Sequence, residues 1–175
     1  MPALEKRIFV LIVEKRQQID PKARSLAFDP ALSNVAREHS AAMAKADSFA
    51  GNGDPNMVTT LLMSQDAKFV GLVAENIAAQ HFTPGQDIDV DAFARRFVDT
   101  WIASKAHRET LAIADLDRSG VGATANTHTI YVTQVFTSEF VPGEKTEAEI
   151  SALKTPPGTK ASDQPHSEPG PSATP

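Results

Sequence analysis

The sequence predicts an α/β domain in which helices cover a small antiparallel sheet. Three observations lead to this reading. Apolar residues recur at three- and four-residue steps in several separate stretches of the first two thirds of the chain. β-Branched and aromatic residues then crowd Thr129–Thr137. The turn-forming run Asn126-Thr127-His128 joins that segment to Gly120–Thr124, as in a hairpin. The order is helices, one central strand, more helix and a terminal hairpin, and elements in that order pack naturally as helices on a sheet.

Near the start, Leu4, Ile8, Leu11 and Ile12 fall on one helical face, although the β-branched run within them also suits a strand. Asp29-Pro30 reads as an N-cap followed by proline at the first helical position. The helix it opens carries Leu32, Val35, Ala36, His39, Met43 and Ala46 on one stripe and ends near Asp47. His39, set among apolar neighbours, reads as a satisfied buried histidine. Gly51–Pro55 is a polar turn, Met57–Met63 a short helix, and Phe69–Ile77 a strand running into a loop. After the break at Pro84-Gly85, the stripe Val90, Phe93, Ala94, Phe97, Trp101 marks a strongly amphipathic helix. Ser104 is placed to cap a further helical segment from Lys105 to Ala114.

Composition narrows the function classes. With 175 residues, 41% of them hydrophobic, the chain is long enough for one domain with a core and short for two. Its net charge of −5 offers no electrostatic footprint for nucleic acid. There is no cysteine, which removes disulfides, thiolate metal sites and cysteine nucleophiles. The apolar run Ile8–Val13 is too short to span a bilayer, so no transmembrane segment is expected. No signal peptide is expected either, because charged triplets flank that run and no small-residue cleavage site follows. From residue 141 to residue 175 the chain holds seven of its twelve prolines and no aromatic residue. Such a segment buries too little apolar surface to offset its ordering entropy, so a disordered tail is expected after a domain at 1–140.

Four motifs then fall in order. The first runs from Leu26 through Asp29, Leu32, Ala36, His39-Ser40 and Met43-Ala44. The second is Ala74-Glu75-Asn76-Ile77-Ala78. The third is Trp101, Ser104, His107, Arg108 and Leu111, and the fourth is Gly120-Val121-Gly122 with Tyr131-Val132-Thr133-Gln134-Val135-Phe136. Together they resemble the bacterial SCP-like (CAP) domain family over nearly the whole folded part. The resemblance implies a three-layer α/β/α sandwich with a central antiparallel sheet. It also implies an exported protein, so the chain is expected to be a processed form, extracellular or periplasmic.

Many members of that family carry two histidines and two acidic residues able to hold a divalent metal such as zinc. Glu75 matches one acidic place, while Gly51, Ser104 and Tyr131 stand near the other three. No cofactor is therefore expected, with zinc or another divalent metal as the alternative. Glu75 and His107 are the candidate catalytic pair, since imidazole titrates near neutrality and a carboxylate beside it can help move a proton; the preferred reading of the same pair is a structural clamp that locks the loop after the long helix against the strand. The expected ligand pocket comprises Glu75, Asn76, Ser104, His107, Tyr131 and Gln134. No G-x-S-x-G elbow or glycine-rich phosphate loop occurs. The resemblance implies a non-enzymatic binding module for a small apolar ligand, a lipid or sterol, or for a protein partner. The alternative is a hydrolase or peptidase in which Glu75 and His107 activate water.

Overall fold

A computed structural model describes residues 1–51, 53–85 and 87–139. The expected tail lies outside them. Pro2–Ile19 form the helix α1. The stripe Leu4, Ile8, Leu11 and Ile12 is buried, which decides between helix and strand in favour of the 3.6-residue period. Asp29 caps α2 (Pro30–Ala46), its Oδ1 accepting from the backbone N–H of Ala31 at 2.8 Å and of Leu32 at 3.3 Å. Met57–Gln65 form α3 and Val90–Ala103 form α4, capped by Asp89. Lys105–Leu111 form α5. Ser104 sits at its N-cap position but makes no capping hydrogen bond, and the helix stops three residues short of the expected Ala114.

Among the described residues the sheet has four strands in the order β1-β3-β4-β2. They are β1 (Ala27–Phe28), β2 (Gly71–His81), β3 (Arg118–Ala125) and β4 (Thr129–Glu139). β4 lies antiparallel between β2 and β3, and all of it but Glu139 is buried. The hairpin turn is fixed by Asn126, whose Oδ1 accepts from the N–H of His128 and of Thr129. The sequence reading missed β1, a two-residue parallel pairing with Arg118 and Ser119, too short to leave any periodicity. It also ended β2 at Ile77, where the strand runs on to His81.

One face of the sheet packs on α1 and α4 through Leu4, Ile8, Phe97, Trp101, Val132 and Phe136. The other packs on α2 and α3 through Leu32, Val35, Ala36, Val58, Leu62 and Val135. The result is the three-layer α/β/α sandwich. The contact of α2 with β3 depends on two glycines. A Cβ on Gly120 would overlap the backbone of Leu32 and Ser33, and one on Gly122 would overlap the backbone of Ala36 and Arg37.

Two buried charges tie the helices down. Glu5 on α1 accepts from the Arg37 guanidinium of α2 and, at 3.0 Å, from the Ala123 N–H at the outer edge of β3. Arg16, 1% exposed, donates to the carbonyls of Leu111 at 2.7 Å, Ala114 at 3.1 Å and Leu116 at 2.8 Å. It thereby satisfies the C-terminal carbonyls of α5 and the turn after it. Burial pulls its guanidinium below the ordinary arginine value, with the charge of Asp20 opposing.

Gly122→Val forces α2 off the sheet and is expected to cost about 3 kcal/mol, lowering Tm by roughly 10 °C. Thermal denaturation followed by circular dichroism checks this. Arg16→Met strands several buried carbonyls and is expected to cost about 3 kcal/mol, read as a lower urea midpoint at unchanged slope.

Candidate functional site

The sheet sorts the expected site residues into two groups. On β2 the odd-numbered residues Val73, Ile77 and Ala79 pack against the α2–α3 side, and the even-numbered Leu72, Ala74 and Ala78 against the α1–α4 side. Glu75 and Asn76 therefore face opposite layers. Tyr131 packs with Met43 and Ala44 on the side of Glu75, whereas Gln134 stands across from Asn76 on the other. His107 and Ser104 belong to α5 and its start, where the Asn76 Nδ2 donates to the His107 carbonyl at 3.2 Å. Among the described residues no ion pair joins Glu75 to His107, whose backbone carbonyl is held by Asn76.

Glu75 meets His39 instead. His39 projects from α2 and is 7% exposed. Its Nδ1 lies 3.1 Å from Glu75 Oε2. Oε2 nevertheless completes no hydrogen bond among the described residues, so the contact is one of charge and dipole at close range rather than an aligned hydrogen bond. Beneath the ring, Thr133 Oγ1 lies 3.4 Å from the same nitrogen and 3.0 Å from Ser40 Oγ, which also lies 3.0 Å from the Gly122 carbonyl.

His39 lines a cleft of ≈ 300 Å³ between the α2–α3 connection and β2. Phe49, Pro55 and Ile77 supply apolar wall, with His39, Glu75 and Asp54 as polar groups. Phe49 stands edge-on to Tyr131 at 6.0 Å. The Tyr131 hydroxyl donates to Asp47 Oδ1 at 2.9 Å, and Asn126 Nδ2 donates to the same oxygen at 2.7 Å. These bonds, that from Tyr131 foremost, hold the Asp47 carboxyl below its usual range. Burial, and then the bond to Asp47, push the Tyr131 hydroxyl above its own ordinary value.

A resident zinc ion does not fit this set. Among the described residues no group of three or more histidine, aspartate or glutamate side chains is placed to hold a metal ion. His39 and Glu75 offer two donors, and the Tyr131 hydroxyl is turned to Asp47.

The chain matches the cysteine-rich secretory protein (CAP) family over residues 21–139. It belongs to the CAP family. Solved structures with the same fold include an extracellular protein containing an SCP domain from Bacillus anthracis, at 25% identity and a TM-score of 0.57. That match covers 78% of this chain and 40% of the other. An outer surface protein of Borrelia burgdorferi matches at 22% identity and a TM-score of 0.56, covering 78% of this chain and 95% of the other. A cysteine-rich secretory protein from Staphylococcus aureus matches at 17% identity and 0.56, covering 79% and 39%. This CAP domain therefore spans less than half the length of two of those proteins. No curated protein matches the chain. No helix among the described residues is long and apolar enough to cross a membrane.

His39 is the site residue that sequence reading passed over. The signal lay in the parity of β2, because placing Glu75 on the α2 face makes the one histidine on the inner stripe of α2 its neighbour.

The Asp47 carboxyl has a depressed folded pKa, so its contribution to stability is full above the unfolded value and is lost as pH falls through the folded one. Tyr131→Phe removes the main cause of that depression. The gap in urea midpoint between wild type and Tyr131→Phe is expected to narrow from about pH 7 to about pH 3.

Proposed function

We propose that this CAP domain is an exported binding module whose ligand lodges in the cleft beside β2, with His39 and Glu75 as its polar contacts. The observation that carries the reading is the His39–Glu75 contact of 3.1 Å at the wall of a cleft otherwise lined by Phe49, Pro55 and Ile77. Apolar walls with a few convergent polar groups are the usual make-up of a ligand site. The extracellular and outer-surface proteins that share the fold support export. The ligand classes that fit are a lipid or sterol, or a protein segment.

Hydrolysis is the second reading, favoured by the same contact, since a carboxylate beside an imidazole is able to activate water. If chemistry occurs here, the partner of Glu75 is His39, not His107. Binding is preferred because the cleft wall is largely apolar, supplied by Phe49, Pro55 and Ile77.

Palmitate, cholesterol-containing vesicles and a mixed peptide library serve as probes. One of these classes is expected to raise the Tm of the wild type and to bind Glu75→Gln and His39→Asn about tenfold more weakly. Peptide cleavage by the wild type that disappears in both folded variants would replace binding with hydrolysis.

A further inference from the structure

The two edges of the sheet are finished differently. At the β3 edge, β1 pairs with Arg118 and Ser119, and the buried Glu5 carboxylate takes the Ala123 N–H. β2 forms the opposite edge. The Phe82 N–H donates to the His128 carbonyl at 2.8 Å, so even-numbered residues of β2 turn their backbone groups toward β4 and odd-numbered ones turn theirs outward. Trp101 agrees with this parity, since its Nε1 donates to the Ile77 carbonyl at 3.0 Å. Among the described residues nothing else meets the outward backbone N–H and C=O of Val73, Glu75 and Ala79, or the N–H of Ile77.

An open strand edge is normally guarded by proline, lysine, a bulge or a covering element, because it recruits other strands. β2 contains neither proline nor lysine. Its eleven residues are mostly half-buried, unlike the fully buried β4. The His39–Glu75 cleft meets this strand at Glu75 and Ile77. A second hollow of ≈ 120 Å³, lined by Val58, Thr59 and Val73, adjoins it, and Pro55 and Glu75 line both. The two hollows together are lined by the carboxylates of Glu75 and Asp54 and by no lysine or arginine.

We propose that the ligand of the cleft is a segment of extended, basic polypeptide that adds to β2 as a further strand, a proposal that rests on the cleft being a binding site. The outward N–H and C=O groups of Val73, Glu75 and Ala79 and the N–H of Ile77, over a span of roughly 20 Å, supply the main-chain hydrogen bonds, the Ile77 carbonyl staying with Trp101. Alternate side chains of the added strand turn into the cleft, and a lysine or arginine among them meets Glu75. The pairing supplies affinity for any extended chain, and the acidic cleft selects a basic one.

The test uses the full chain and a library of peptides about nine residues long, alternating valine and threonine around a central lysine or glutamate. Lysine peptides are expected to bind at least about tenfold more tightly than glutamate peptides, and to slow amide exchange at Val73 and Glu75. Val73→Pro removes an outward N–H without touching the β4 ladder and is expected to weaken binding about tenfold. N-methylation of the peptide backbone is expected to do the same against the unaltered protein, which keeps the result independent of how the proline variant folds. Binding that falls in Glu75→Gln yet ignores both Val73→Pro and N-methylation would overturn strand addition and leave the cleft standing. Absence of binding by any library member up to about 1 mM would also overturn it, while the lipid probes continue to test the cleft itself.

Discussion

The approach of α2 to β3 through Gly120 and Gly122 is the contact on which the rest of the molecule depends. With no side chains at those two places, the helix backbone lies against the strand itself, and its inner stripe reaches the sheet floor. Ser40 then falls within hydrogen-bond reach of the Gly122 carbonyl and of Thr133 on the neighbouring strand. His39, the next residue on the helix, is held above them with its ring toward Glu75. The site is thus a by-product of close helix–sheet packing, and its geometry is only as stable as that packing.

Buried charges hold the opposite layer in place. Glu5 links α1, α2 and β3 through one carboxylate, and Arg16 gathers the loose carbonyls where α5 turns toward β3. A charge taken out of water seldom adds much net stability over apolar packing, but stripping it of its hydrogen-bond partners is costly because the buried group is stranded. These residues therefore act chiefly to fix where α1 sits. That placement closes the sheet edge at β3.

Much of the fold was legible in the sequence because local signals and tertiary structure agree. The stripe on α4, the Asp29 cap and the Asn126 turn each announce themselves within a few residues. Elements that depend on distant partners were not legible. β1 exists only because Ala27 and Phe28 meet β3, and β2 continues past Ile77 only because β4 runs beside it. The site was half legible. Glu75 was found from its motif, whereas His39, lying on an apolar stripe, looked like core, as most such histidines are. Glu75 meets His39 because the alternation of β2 turns it toward α2, a parity the motif alone does not reveal. Ser104 was named as a cap and as a pocket residue; it holds the cap position without its hydrogen bond, and it lies at the start of α5 with Asn76 and His107.

The alternation of β2 has a consequence for how this surface changes over time. Glu75 and Asn76 are adjacent in the chain yet answer to different demands, one facing an open cleft and the other binding α5 to the sheet. Under the proposed binding role, a substitution at the first would alter what the domain recognises and spare its architecture. A substitution at the second would loosen the architecture and spare the cleft. Two independent traits would then be written in neighbouring codons, leaving a lineage free to retune a ligand by single steps while the scaffold beneath is kept.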